Sequence, residues 1–499
     1  MQIELLKFPY SYMEYEKILQ IRELKVLLPE IEVLSDDKHN TIISGERINL
    51  DNVKELTFYR AYKIDGISYP YPTRQGLYEK DDTLRAVKQH TRYSTHGIHE
   101  YKGKFNPQIV HAIANIFGVQ RGHKVLDPFD GSGTTIVECA HAGIEAYGTD
   151  INPLACLIAN TKVAALKMDV EEASVRLYEL KRTLSQPMTI NIPEGDERLK
   201  YLSNWIPMEI LCMLESIRNE VENDDPTIRN FFLVVASDLI RDYSYQEPSD
   251  LRIRRRKSPM PEVSFLEAYL QKASKYLQKI EQAQSVEDKS FFPDNHALNC
   301  DIKYAKPFGD IKFDAAITSP PYVTALPYID TQRISLVWLG LCSASEIGRL
   351  EASLIGSREL LKSEKTKWAS EIAENTGCLP AEIYKLVCSM NESLNENDGF
   401  RKQAVPTLVY KYFTEMKSMF INVRSMMKPS GLYGLVVGHN KTTLGGTEYN
   451  IDTPYLLAVL AQQCGWQIEE LFPLQTYKRY GLNAKNAINR ETLIVLRNA

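Results

Sequence analysis

The sequence predicts an α/β protein with a Rossmann-like core: a mostly parallel sheet with helices on both faces, helical insertions and an N-terminal extension. Three observations predict it. The stretch HKVLDPFDGSGTTIVECAHAGIEAYGTDINPLACLIANTKV, His123 to Val163, reads as strand, glycine turn, helix, strand, acidic strand end and second helix, the βαβ unit of a parallel sheet. Strand-like runs return at FDAAITS and GLYGLVVG, the latter behind the amphipathic stretch YKYFTEMKSMFINVRSMM, and ETLIVLR lies near the C-terminus. Finally, 499 residues exceed what one hydrophobic core usually supports, so a central domain of about 200 to 300 residues with additions is expected.

Taken in order, residues 1–90 mix short β-like runs (IEVL, NTIISG, ELTFYRAY) with charged stretches and form an extension of no evident role. Residues 91–165 open the central domain; Asn106-Pro107 marks a turn, and PQIVHAIANIF has helical apolar spacing. Residues 166–290 read as a helical insert (VEEASVRLYELKRTL, PMEILCMLESIRNEV, EAYLQKASKYLQKIEQA) and carry the basic run DLRIRRRK at 250–257. The sheet resumes over 291–340, a second polar helical insert spans 341–400, and 401–499 complete the central domain.

Hydrophobic residues at 44% and charged residues at 25% are ordinary for a folded globular chain, which excludes a disorder-dominated one. No apolar run reaches the roughly 18 residues of a membrane helix, and MQIELLKFPYSYMEYEK lacks a signal-peptide apolar segment, so a cytoplasmic protein without membrane contact is expected. Eight cysteines without a C-x-x-C pair read as reduced thiols, and no metal is expected. A net charge of -5 excludes coating of nucleic acid through global charge, so any such contact must use local basic patches.

In VLDPFDGSGTT, Gly131 and Gly133 permit a tight turn that lets backbone approach a ligand closely. No lysine follows the second glycine as in a phosphate loop, which argues against ATP or GTP. Asp150, ending the strand AYGTD, stands where a carboxylate accepts hydrogen bonds from both hydroxyls of a ribose. That spacing alone suits NAD as well as S-adenosylmethionine. The prefix Asp127-Pro128-Phe129 separates them: with Gly131, Ser132, Gly133, Thr134 and Thr135 it resembles motif I of the DNA amino-methyltransferases, DPFxGSGTT, at every fixed position. The resemblance implies S-adenosylmethionine as cofactor, bound by Asp127, Phe129, Gly131, Gly133, Thr134 and Thr135, with Asp150, Ile151 and Asn152 from the next strand end.

Ser319-Pro320-Pro321-Tyr322 follow the strand FDAAIT. An exocyclic amino nitrogen is a poor nucleophile because its lone pair is delocalised into the ring. Two acceptors aimed at its N–H bonds favour a more tetrahedral, reactive nitrogen, and the Ser319 hydroxyl oxygen and Pro320 carbonyl are suited to that. The prolines fix φ and hold these acceptors ready, and Tyr322 is suited to stack on a base flipped out of a duplex. The tetrapeptide resembles motif IV of the same family, where serine in first position is typical of cytosine-N4 enzymes and Asp or Asn of adenine-N6 enzymes.

HGIHEYKGKFNPQIV, 96–110, is similar to the family's motif X beside the methionine part of the cofactor, which implies Lys104 against its carboxylate and Phe105 against its apolar edge. Asp301 in ALNCDI matches the acid of motif III near the adenine amino group. Arg252, Arg254, Arg255, Arg256 and Lys257 in the first insert are candidate DNA contacts. His439 and Asn440 read better as a turn pair than as site residues.

The resemblance thus implies methylation of cytosine N4 in double-stranded DNA, with restriction–modification or phage defence as the setting and a cognate endonuclease or defence subunits as partners. Adenine-N6 methylation is the nearest alternative, ahead of RNA guanine-N2 methylation and of a silent DNA-binding subunit.

Overall fold

The computed structural model describes residues 1–499 apart from 68, 81–88, 188, 191, 305, 325, 326 and 476–489. The strands in chain order are β1 (Gln2–Lys7), β2 (Glu32–Asp36), β3 (Asn40–Ser44), β4 (Tyr59–Ile64), β5 (Tyr71–Pro72), β6 (Lys124–Asp127) and β7 (Glu145–Asp150). There follow β8 (His296–Asn299), β9 (Phe313–Thr318), β10 (Met427–Gly438), β11 (Asn440–Leu444), β12 (Thr447–Ile451), β13 (Trp466–Gln475) and β14 (Arg490–Asn498).

The central sheet runs β13-β14-β10-β9-β6-β7-β8. Strands β8, β7, β6, β9 and β10 are mutually parallel, while β14 pairs antiparallel with both β10 and β13. Helices covering both faces explain why β6, β9 and β14 are buried continuously over 125–127, 315–318 and 492–496 rather than at alternate residues. This is the mostly parallel α/β sheet that the βαβ unit predicts. Succession reverses between β6 and β9: the chain proceeds from β6 outward to β7 and β8, then returns to β9 on the other side. Such a switch point opens a crevice at the carboxyl ends of the strands, and here the ends are Asp127 and Thr318.

Residues 1–78 are built into the same body. A five-stranded antiparallel sheet, β2-β3-β1-β4-β5, is packed by the helix Glu14–Leu27 against the helix Pro107–Ile116, so that Leu19, Leu24, Ile109, Ile113 and Val125 share one core. Buried Glu23 seals this junction by accepting from Thr57 and from Asn115 Nδ2 at 2.7 Å.

The first insert is helical, with Val170–Leu184, Met208–Glu220, Pro226–Ile240 and Phe265–Val286 sharing a core with Trp338. The second contributes Ile347–Ser353, Lys365–Glu374 and Ala381–Ser393, the last two packing on the long helix Val405–Met426. Among the described residues no helix is long and apolar enough to cross a membrane.

Candidate functional site

The glycine turn after β6 is fixed from two sides. Gly133 has φ +84° and starts the helix Thr134–His141, where a Cβ would meet Ala159 at 2.8 Å, so its role is helix packing. Gly131, at φ +54°, donates its backbone N–H to Asp150 Oδ2 at 3.0 Å, and Asn152 N–H reaches Asp150 Oδ1 at 2.8 Å. Burial raises the Asp150 carboxyl to about 6, with those two N–H groups limiting the rise.

Asp127 ties the two chemical motifs together. Its Oδ1 accepts from Phe129 N–H at 3.0 Å and from the Thr318 hydroxyl at 2.5 Å, and its Oδ2 accepts from the Thr135 hydroxyl at 2.5 Å. The carboxylate expected to face cofactor is thus largely occupied in clamping the end of β9 to the turn after β6. Asp127 nevertheless lines the cavity, whereas Thr135, Asn152 and Gly133 stand behind it: Asn152 caps the helix Pro153–Ala165 and donates to Gln332 at 3.0 Å.

The cavity lies in the switch-point crevice and is partly open to solvent. The turn and β7 end contribute Phe129, Gly131, Ser132, Thr134, Asp150 and Ile151; the segment before the helix Pro107–Ile116 contributes Tyr101, Lys104 and Phe105. Cys300, Asp301 and Ile302 close a third side, Ser319 and Pro321 a fourth, and Tyr328, Ser353, Leu354 and Ile355 complete the wall. Sequence reasoning missed Tyr101, whose ring stacks on that of Tyr328 at 6.4 Å, and the stretch 353–355 of the second insert; Tyr328 it left between pocket and core packing, without a role. Tyr101 lies inside the motif X segment and was legible there; 353–355 had no signal.

These residues fit S-adenosylmethionine. The walls alternate apolar groups suited to adenine with a carboxylate suited to ribose, and Ser132 Oγ, which is buried in the lining, has no partner among the described residues. Lys104 Nζ donates to the carbonyls of Thr91 at 2.9 Å and His96 at 3.2 Å. Burial, then the charge of Lys162, holds that amine well below its usual range. A carboxylate beside it would favour its charged form.

Ser319 Oγ donates to the Val436 carbonyl at 3.1 Å. A hydroxyl has one proton to give, so both lone pairs of Ser319 remain as acceptors. Tyr322 donates to Glu491 Oε1 at 2.7 Å, Asn440 Nδ2 donates to the Val323 carbonyl at 2.5 Å, and Arg358 Nε to the Thr324 carbonyl at 2.8 Å. The loop is therefore held by three residues remote in sequence. Pro320 is buried, and neither it nor Tyr322 is among the cavity-lining residues. Asn440, read as a turn residue, is a loop anchor, and Glu491 gave no sequence signal at all.

The basic run divides. Arg255 lies 4.4 Å over the Trp205 ring and donates to the Asn204 carbonyl at 2.5 Å, and Arg256 donates to the carbonyls of Asp242 and Ser244. Both guanidiniums hold parts of the insert together, and Arg255 is exposed. Arg254 pairs with Asp250 at 3.0 Å but stays largely exposed, Lys257 is exposed, and Arg252 has no ion pair among the described residues.

Beside motif X lies a buried polar cluster. Glu138 accepts from Tyr93 at 2.7 Å, His96 Nε2 at 2.5 Å, and Nδ1 of both His111 and His141 at 3.2 Å. Ligand atoms of His96, Glu138 and His141 lie within 4.8 Å of one another, the one group of described residues spaced to share a cation. The hydrogen bonds already account for that closeness.

The switch-point crevice, the acid-anchored glycine turn and the serine-proline loop define an S-adenosylmethionine-dependent methyltransferase. A family model described as DNA methylase matches residues 16–161. The Type II methyltransferase M.MvaI of Kocuria varians is 24% identical over 384 residues, covering 72% of this chain and 80% of that protein. M.BsoBI of Geobacillus stearothermophilus is 26% identical over 438 residues, covering 79% and 83%, and M.MjaII of Methanocaldococcus jannaschii is 43% identical over 98 residues, 19% and 18%. By these similarities the chain resembles the DNA amino-methyltransferases, the group that modifies cytosine N4 or adenine N6. The family match beginning at residue 16 also takes in much of the extension that the sequence left without a role.

Proposed function

We propose that the protein methylates N4 of cytosine in double-stranded DNA. The observation that supports it is Ser319 at the head of the loop, with its proton committed to Val436 and its lone pairs free. A neutral acceptor suits an amino group that sheds its proton only after methylation, and the resemblance associates serine in this position with cytosine N4 and Asp or Asn with adenine N6. The bound cofactor supplies a methyl group activated on a sulfonium.

In this reading Asp150 takes the ribose hydroxyls, Asp301 the adenine amino group, and Lys104 the methionine carboxylate. Ser319 and the Pro320 carbonyl would orient the cytosine amino group toward the methyl group that the cofactor would supply, and the methylated nitrogen would release its proton to water. Alignment supplies most of the rate. The similarity to Type II methyltransferases supports a setting in restriction–modification beside a cognate endonuclease, in the cytoplasm.

Incubating the protein with S-adenosylmethionine and unmethylated mixed-sequence DNA, then digesting to nucleosides for mass spectrometry, tests this. N4-methylcytosine is expected; N6-methyladenine would overturn the base assignment.

A further inference from the structure

We infer that the second insert, with Arg358 and Arg401, joins Arg252 of the first to form a phosphate-binding rim on which duplex DNA rests at the serine-proline loop. The inference rests on DNA as substrate and not on which base is methylated.

Arg358 is exposed, and its Nε donates to the Thr324 carbonyl at 2.8 Å, which places it two residues beyond Tyr322. Thr324 itself has φ +53°, a conformation that costs a β-branched residue energy and that the bond to Arg358 braces. Arg252 reaches the same region because its segment is docked on the start of the helix Tyr328–Trp338: Ile253 N–H donates to Asp330 Oδ2 at 2.9 Å, and the Thr331 hydroxyl to the Leu251 carbonyl at 2.7 Å. Arg401, exposed on the short helix Phe400–Gln403, stands near enough that its charge acts on Arg358 together with that of Arg252.

None of the three guanidiniums has a carboxylate partner among the described residues. Like charges gathered without ion pairs of their own repel one another, and a polyanion offsets that repulsion. Phe400 adds a ring that is 75% exposed, with Lys365 Nζ 4.6 Å from its centroid, an aromatic flanked by cations as on nucleic-acid surfaces. The net charge of the whole chain is negative, so this local concentration is what an approaching phosphate backbone meets first.

The test is fluorescence anisotropy of the full chain with a labelled duplex across a salt series. Arg358→Ala and Arg401→Ala are each expected to weaken binding roughly threefold to tenfold near 0.1 M salt and to lower the slope of log K against log salt by about 0.9 per lost contact. Arg401→Lys retains the slope, and S-adenosylmethionine affinity by calorimetry is unchanged in all three, which separates lost contact from misfolding. Unaltered slopes in both alanine variants would overturn the rim while leaving the cytosine assignment standing. Adenine as the methylated base in the wild-type product would do the reverse.

Discussion

Tyr322 gives its hydroxyl proton to Glu491 across 2.7 Å, so the aromatic residue of the serine-proline loop is positioned by a side chain 169 residues away. Burial, then the nearby charge of Glu491, holds the Tyr322 phenol well above its usual range, and it stays a neutral donor throughout the working pH range. Glu491→Ala leaves that hydroxyl unpaired, at a cost of about 1–3 kcal/mol. A lower kcat with unchanged cofactor affinity is expected, largely recovered in Glu491→Gln; equal kcat in wild type and Glu491→Ala would show that Tyr322 needs no such support.

Ser319→Ala removes the acceptor while keeping the loop's prolines. Losing one oriented group at a reacting centre typically costs about 10²–10³ in turnover, and a loss of that order is expected in single-turnover methylation. Cofactor affinity, set on the far wall, is expected to stay within about twofold, because one cavity-edge hydroxyl contributes little to ligand binding. Loss of cofactor binding instead would place Ser319 in the wrong pocket.

Asp150 sets a pH dependence with an unusual sign. Its folded value of about 6 lies above the ordinary 3.8, so the folded protein binds a proton there over that window, and the group's contribution to stability falls as pH rises from 3.8 to 6. Cofactor affinity runs the other way, since only the ionised carboxylate accepts from both ribose hydroxyls. Calorimetry is expected to show tighter binding at pH 7.5 than at pH about 5, with Asp150→Asn flattening the dependence and weakening binding by about tenfold or more. A wild-type affinity independent of pH would remove Asp150 from the ribose site.

Glu138 provides acid sensitivity. Burial alone would raise its carboxyl, but hydrogen bonds from His111, His141 and His96 outweigh it and hold Glu138 well below the usual range. A depressed carboxyl stabilises the fold above its unfolded value and loses that contribution as pH falls. His96, lowered to about 3 by burial and then by the charge of Lys104, acts in the same direction below about pH 6.5, because the unfolded imidazole takes a proton that the folded one refuses. His111, raised, opposes them in part. Urea midpoints are expected to fall between pH 7 and pH 5, and Glu138→Gln to destabilise the protein by about 3 kcal/mol. Equal midpoints for the variant would show that the cluster contributes nothing net.

The sequence by itself determined the local elements. Residues 125–135 and 319–322 are contiguous peptides, so their spacing and composition predicted a glycine turn, a cofactor acid and an acceptor loop. The β6–turn–β7 unit was legible for the same reason, since strand and helix periods are local properties. Tertiary structure alone decided which of those residues face the cavity. Asp127 turned into the clamp on Thr318, Gly133 packed on Ala159, and Arg255 closed on Trp205, each through a partner that no local pattern specifies. Burial and hydrogen-bond pairing depend on distant segments arriving at one place, as Glu491 does at Tyr322 and residues 353–355 do at the cavity wall. Periodicity records only which face of an element is covered, and it is silent on what covers it.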